Sequence, residues 1–182
     1  MLSALKDQYK KVPLLIRQLA KRVVLLITVW MLVYHLVLQP YRIPDRQLTK
    51  VTAVATAKLI SAWYHQPTNL YEKSDGEGIN MNGKRVIFIA YSCDALELYM
   101  LYVGFLFCIP TTTKRFFLFA TLGVLGVFIL NVLRCFFLTL LNFNEPEWFG
   151  FAHHYAFTLV VYACIFYGWY LYTKKIINSN VA

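Results

Sequence analysis

Residues 124–141 read VLGVFILNVLRCFFLTLL, and this apolar run with a single charge, Arg134, decides the fold. As an α-helix the run would extend about 27 Å, close to the roughly 30 Å of hydrocarbon in a bilayer. Apart from Arg134, only Asn131, Cys135 and Thr139 in it are polar or weakly polar. We therefore predict a membrane-spanning helix here.

The whole chain has the composition of an integral membrane protein. Of its 182 residues, 59% are hydrophobic, 17% are aromatic and only 15% are charged, which excludes an ordinary soluble domain. The net charge of +9 indicates cytoplasmic flanking residues that contact the anionic lipid of the bilayer. No RNA-binding motif or basic face accompanies this charge, so no nucleic acid partner is expected.

The sequence predicts an all-α bundle of about four transmembrane helices in a single membrane domain, residues 1–182. The runs expected to span are residues 23–39, 95–110, 116–141 and 151–172. The first run lacks a small-residue cleavage site, which favours a retained signal anchor. Before it, the basic residues 1–22 predict an amphipathic helix on the cytoplasmic face.

The segment of residues 41–92 separates the first two predicted spans. In its first part, residues 41–64, the apolar stretch is too short to cross alone and indicates a re-entrant or interfacial helix. A loop-like composition follows, and an Asn82-Gly83 turn signal precedes the strand-like residues 85–90. A small hairpin is therefore expected before the second span.

Basic residues set the expected orientation. With a cytoplasmic N-terminus and four crossings, Lys114, Arg115, Lys174 and Lys175 lie on the cytoplasmic side, and the acidic loop of residues 142–150 lies outside. The segment between the first two spans then lies outside as well. We expect a multi-pass protein of the cytoplasmic (inner) membrane with its unusual residues toward the outer face.

Arg134 is the most unusual residue of the predicted spans. An arginine in an apolar run costs roughly 2.5–3.5 kcal/mol on insertion scales, so a function or a partner is expected for it. Asn131 lies on the same helical face and is suited to orient the guanidinium. The structural alternative is that Arg134 reaches lipid headgroups or pairs with Glu97 to lock the bundle.

Cys93, in the stretch YSCDALELY, lies where a loop meets the second span. A helix N-terminus and a nearby arginine would favour the nucleophilic thiolate of Cys93. The structural alternative is an inert buried thiol. Asp94 and Glu97 match a capping box, with Asp94 as N-cap and Glu97 at the third helical position. The remaining cysteines lack CxxC spacing and are interpreted as inert buried thiols: Cys108, Cys135 and Cys164.

His153 and His154 open the last predicted span. Either one could simply lie at the membrane interface or near the helix start. Adjacent helical positions point about 100° apart, and no other residues show ligand spacing, so metal binding by the pair is not expected. The sequence predicts no cofactor.

Taken in chain order, a cysteine at a loop-to-span junction, Asn-x-x-Arg in a following span and a histidine at the head of the last span resemble the exosortase/archaeosortase family of membrane-embedded cysteine transpeptidases and proteases. The resemblance covers about residues 75–172 and is carried by Cys93, Asn131, Arg134 and His154.

Two positions depart from the family pattern. Asp94 and Ala95 stand where members commonly have a small polar residue and glycine, and Thr158 replaces a glycine usually found a turn after the histidine. The second spacing is the reason for favouring His154 over His153.

The resemblance implies a minimal, single-domain member that cleaves C-terminal sorting signals of exported proteins, each with a short motif, a hydrophobic helix and a basic tail. Cys93 would form a thioester acyl-enzyme, His154 would carry protons with His153 in support, and Arg134 would stabilise the oxyanion. The acceptor, water or an envelope amine, stays open. The rival interpretation is a non-catalytic membrane scaffold or assembly subunit in which Arg134 only pairs.

Overall fold

A computed structural model describes residues 14–41, 43–109 and 111–181. The helices are α1 (Leu14–Val33), α2 (Gln39–Tyr41), α3 (Ile43–Tyr64), α4 (Leu96–Cys108), α5 (Thr113–Asn144), α6 (Pro146–Phe151) and α7 (Phe157–Val181). The strands are β1 (Thr68–Lys73), β2 (Gly76–Met81) and β3 (Lys84–Ala90). The described chain also has π-helical turns at Tyr34–Leu38 and Ala152–Ala156 and a 3₁₀ turn at Tyr91–Cys93.

Four helical stretches of the described chain are long and apolar enough to cross a membrane. They are Ile16–Tyr41, Tyr91–Cys108, Thr113–Asn144 and Pro146–Lys174. Each overlaps one of the four predicted spans, so the prediction of a helical membrane bundle is confirmed. Helix α3 is not among these four stretches.

The first span is continuous with the basic residues before it. Helix α1 contains no glycine or proline, so residues 14–22, the second part of the predicted amphipathic segment, belong to the same helix as the apolar run. Residues 1–13 of that segment lie outside the described residues. The sequence predicted that the first span ends at Pro40. The helical chain instead continues through Pro40 to Tyr41, and the π-helical turn of residues 34–38 directly precedes this last helical segment.

The predicted hairpin is part of a three-stranded antiparallel sheet of order β1-β2-β3. Met81 pairs with Lys84 across the Asn82-Gly83 turn. Both turn residues have positive φ, 53° and 75°, as the tight turns of twisted hairpins require. The turn signal therefore located β2 and β3, whereas β1 adds a third strand that the sequence did not indicate.

Helix α3 packs against the sheet and α5 through a face that is partly polar. The buried residues on this face are Asp45, Thr49, Thr52, Ala53, Thr56, Ala57 and Ile60. On the exposed side, Arg46 Nη2 lies 2.6 Å from Glu72 Oε1 of β1. The polar residues explain why α3 lacks the hydropathy of a span although it is well buried.

The spans α4, α5 and α7 pack closely around Tyr102. Its ring occupies the space that side chains on Gly123 and Gly168 would need, and Tyr102 is itself 4% exposed. Its hydroxyl donates to the carbonyl of Phe119. Small residues at helix interfaces are a general means of close packing in membranes.

The two ends of the bundle differ in chemistry. At one end, which we call the sheet end, α4 begins, α5 ends and Asn142 donates to the carbonyl of Val86 in β3. At the opposite end Arg115 donates to the carbonyls of Leu171 and Tyr172, and Arg22 donates to the carbonyl of Cys108. The sheet end holds the candidate site.

Candidate active site

Cys93 ends the 3₁₀ turn that joins β3 to α4, and it is half-buried. Its carbonyl accepts a hydrogen bond of 3.1 Å from Nδ2 of Asn131, which is 3% exposed. The sequence predicted that Asn131 would orient Arg134. In the structure this amide instead fixes the backbone that carries the thiol.

The chain between Cys93 and α4 has an unusual backbone conformation. Ala95 has φ 68° and ψ 16°, the left-handed region that costs a non-glycine residue roughly 1–2 kcal/mol. The strain is held in place because the Ala95 carbonyl accepts hydrogen bonds from the amides of Leu98 and Tyr99. Strained residues of this kind concentrate at functional sites.

The predicted capping box is not formed as expected. Ala95, not Asp94, occupies the N-cap position, because helix α4 begins at Leu96. Asp94 still caps the helix, since its Oδ1 accepts a hydrogen bond of 2.8 Å from the amide of Leu96. Glu97 lies in the first turn of α4, is exposed, and lines a cavity that Cys93 and Arg134 also line.

Arg134 connects the third span to the fourth. Its Nη2 lies 3.2 Å from Nε2 of His153. A guanidinium can only donate, so Nε2 accepts and the ring proton of His153 resides on Nδ1. The Nε of Arg134 is buried and has no hydrogen-bond partner among the described residues, so this donor of the cation is unused there.

The two adjacent histidines have different environments. His153 is half-buried and its ring stacks on Phe149 with the centroids 6.0 Å apart. His154 is exposed and meets His153 edge to face. The structure therefore brings His153 to Arg134 and leaves His154 on the surface. Among the described residues no hydrogen bond joins Cys93 to either histidine.

A small cavity of about 100 Å³ joins Cys93 to Arg134. Three carboxyl side chains also line it: Asp45, Asp94 and Glu97. Asp45 and Asp94 are 8% and 4% exposed, so two of these carboxyl groups are buried beside Cys93 and Arg134. Sequence reasoning missed Asp45, because 49 positions of chain separate it from Asp94 and no spacing signal links them.

Cys93 is the one cysteine among the described residues that line this cavity. Cys108 and Cys135 are buried as predicted, whereas the prediction of a buried thiol is wrong for Cys164, which is exposed on α7. Within the described residues, no group of three or more His, Cys, Asp or Glu side chains could hold a metal ion. The chemistry of the cavity is thus that of a thiol, an arginine and carboxyl groups.

A family model described as transmembrane exosortase matches residues 14–170. The chain belongs to the transmembrane exosortase family. The match begins in α1, so it includes the first span and α3 as well as the region of residues 75–172 that carried the resemblance. No curated protein and no solved structure matches this chain.

Proposed function

We propose that this exosortase-family protein is a membrane-embedded cysteine peptidase or transpeptidase that cleaves C-terminal sorting signals of exported proteins. The observation that carries the proposal is the position of Arg134, which lines one cavity with Cys93 and contacts His153. Acyl transfer needs a nucleophile, a group that carries protons and a donor to the oxyanion. The Cys93 thiol, the His153 imidazole and the Arg134 guanidinium could fill these three roles.

In the proposed reaction a neutral imidazole takes the proton of the Cys93 thiol and becomes an imidazolium, and the resulting thiolate attacks the carbonyl carbon of the scissile peptide bond. The C–S bond forms, the carbonyl oxygen becomes an oxyanion, and the C–N bond then breaks. An imidazolium donates its proton to the leaving amine, and the product is a thioester on Cys93. Water or an envelope amine would attack the thioester and return the thiol, with the imidazole accepting the proton of the attacking group.

We assign the proton transfer to His153, although the family spacing favours His154. His153 is the histidine that Arg134 contacts, and stacking on Phe149 orients its ring. When a substrate carbonyl enters the cavity, the Arg134 guanidinium can donate to the oxyanion instead of to His153, which frees Nε2. A donor to the oxyanion contributes about 2.7–4 kcal/mol in comparable enzymes.

The distribution of charge supports an orientation with the sheet end outside the cell. The basic residues Arg22, Arg115 and Lys174 lie toward the opposite end, and Glu145 and Glu147 lie in the short connection at the sheet end. Under the positive-inside rule this distribution supports our proposal that Cys93 lies toward the outer face of the inner membrane. Exported proteins would then meet the nucleophile after translocation.

The experiment compares the C-termini of envelope and secreted proteins by mass spectrometry in cells with the wild-type or the Cys93→Ala protein at matched levels. We expect a set of proteins to keep a hydrophobic tail only in the Cys93→Ala cells. Cys135→Ala is the matched control, since this buried thiol has no proposed role, and it should process like the wild type. Identical termini in wild-type and Cys93→Ala cells would favour the scaffold interpretation.

A further inference from the structure

An apolar groove runs between the first two spans. Its walls include Leu26, Trp30 and Tyr34 on one side and Glu97, Leu101 and Gly104 on the other, and it encloses about 500 Å³. Helix α1 contributes little to the core, because none of the residues in the most apolar part of its span is buried. The groove is therefore open to the bilayer along its side.

The floor of the groove is set by a close helix approach. Leu26 Cδ2 lies 2.9 Å from the position that a Cβ on Gly104 would occupy. Because glycine has no side chain, α1 can pack closely against α4 at this point. The lining residues of α4 extend from Glu97 to Cys108, a rise of about 16 Å along the helix axis. This length is about three helical turns, roughly half of the hydrocarbon thickness.

The groove leads to the candidate nucleophile. Tyr34 and Glu97 line both the groove and the cavity that contains Cys93 and Arg134. A membrane segment lying in the groove would thus have one end at the cavity without crossing any other helix. A lipid chain would also fit the apolar walls, and it is the alternative occupant that the crosslinking experiment distinguishes from a helix.

Charge complementarity selects the direction of a bound helix. The N-terminus of a helix carries unpaired N–H groups and the positive end of the macrodipole, and acidic groups stabilise it. The sheet end of the groove presents Glu97, and the adjoining cavity contains Asp45 and Asp94 beside Arg134, so carboxyl groups outnumber cations among the residues that line this end. The opposite end meets the basic residues of α1, which include Arg22. A helix would therefore bind with its N-terminus at the sheet end.

We propose that the groove between α1 and α4 binds the hydrophobic transmembrane helix of the substrate, which enters sideways from the bilayer and presents the bond on its N-terminal side to Cys93. This inference rests on the proposed function, because it assigns the substrate site of the same reaction. It adds which face of the bundle receives the substrate helix.

The test uses a reporter made of a soluble secreted domain followed by the tail of one protein that stays uncut in Cys93→Ala cells. A photo-crosslinking amino acid replaces Leu101, which is 42% exposed in the groove, in the full-length Cys93→Ala protein. The matched control places it at Leu159 of α7, which is 73% exposed and lies outside the groove. We expect a crosslink to the reporter helix from position 101 and none from position 159.

A second measurement uses active protein. Leu101→Trp fills the groove and should slow cleavage of the reporter about tenfold, a change of about 1.4 kcal/mol, while the protein accumulates normally. Leu159→Trp should leave cleavage unchanged. Reporter crosslinks of equal yield at both positions, crosslinks to lipid alone at position 101, or wild-type cleavage by Leu101→Trp would overturn the groove assignment.

The two proposals fail in different ways. If tails are cut in wild-type but not in Cys93→Ala cells and the reporter crosslinks only outside the groove, the peptidase proposal stands and the groove assignment is wrong. If no tail depends on Cys93, both are wrong.

Discussion

Arg134 of the third span donates a hydrogen bond of 3.2 Å from Nη2 to Nε2 of His153 at the head of the fourth span. Three residues earlier on the same helix, Asn131 donates to the carbonyl of Cys93. Because positions three apart share a helical face, α5 holds both the turn that carries the thiol and the imidazole. This arrangement makes α5 the element that assembles the candidate site.

Replacing Arg134 with lysine should reduce tail cleavage by about 10²-fold or more. An ammonium is a point charge and cannot contact His153 and an oxyanion with the planar geometry of the guanidinium. The fraction of tail cut is measured by mass spectrometry at matched protein levels. Arg85→Lys, at an exposed residue of β3, is the control. Near-normal cleavage by Arg134→Lys would leave Arg134 a structural role.

The two histidines should respond differently to substitution. His153→Ala should reduce cleavage by about 10²–10⁴-fold, the usual contribution of a general acid or base, because it removes the imidazole that Arg134 contacts, whereas exposed His154→Ala should retain most of it. Cleavage is compared over a range of pH, since a lost acid or base changes the pH profile and a purely structural defect does not. If His154→Ala lost cleavage and His153→Ala retained it, the proton carrier would be His154, the histidine that the family spacing favours.

The membrane spans and Arg134 could be predicted because their signals are local. An uncharged run of sufficient length is visible without any tertiary information, and so is a charge inside it. The contact of Arg134 with His153 rather than with His154 could not be predicted in the same way. A π-helical turn at Ala152–Ala156 changes the helical phase, so α-helical spacing does not tell which of two adjacent histidines faces the bundle.

Asp45 and the third strand depend on contacts between distant residues. Asp45 lies in a helix with mixed composition, and it comes to line the same cavity as Asp94 only when α3 packs beside the 3₁₀ turn. The positive φ of Ala95 was equally hidden, since a sequence shows which residue occupies a position and not the backbone angle that its neighbours impose. The same position is commonly glycine in the family that the chain resembles.

Ala95→Gly should stabilise the protein by roughly 1 kcal/mol, because glycine adopts a φ of 68° without the steric cost that alanine bears. Thermal unfolding of the purified protein in detergent measures the effect. Ala163→Gly, at an exposed position inside α7, is the control and should destabilise by roughly 0.5–1 kcal/mol. A loss of stability in Ala95→Gly would mean that the left-handed conformation is not strained.

Glu77→Gln should raise the stability of the protein at neutral pH. Burial in β2, followed by repulsion from Glu72, raises the pKa of Glu77 above its ordinary value, with Lys50 and Arg46 opposing the shift. A raised folded-state pKa means that folding favours the protonated acid, so its contribution is lost as pH rises through that pKa.

The measurement is the melting temperature in detergent at pH 7 and near pH 4. The advantage of Glu77→Gln over the wild type should be present at pH 7 and shrink at the acidic pH. Exposed Glu145→Gln should show no comparable gain. A gain that is independent of pH would contradict the electrostatic explanation.

Gly123→Ala should destabilise the bundle by roughly 1–3 kcal/mol, the usual cost of overpacking a well-filled core. The added Cβ would overlap the ring of Tyr102, which is fixed between α5 and α7. Gly126→Ala is a control on the same helix, since nothing lies within 4 Å of its Cβ position. That control should be neutral or slightly stabilising, because alanine is the better helix former.

Thermal unfolding in detergent distinguishes the two glycine variants, and a double variant identifies the cause. Tyr102→Leu removes the ring that the new methyl group meets, so Gly123→Ala should cost less in the Tyr102→Leu background than in the wild type. Equal costs in both backgrounds would show that the defect of Gly123→Ala does not arise from contact with Tyr102, and the close approach of the three spans would then need a different explanation.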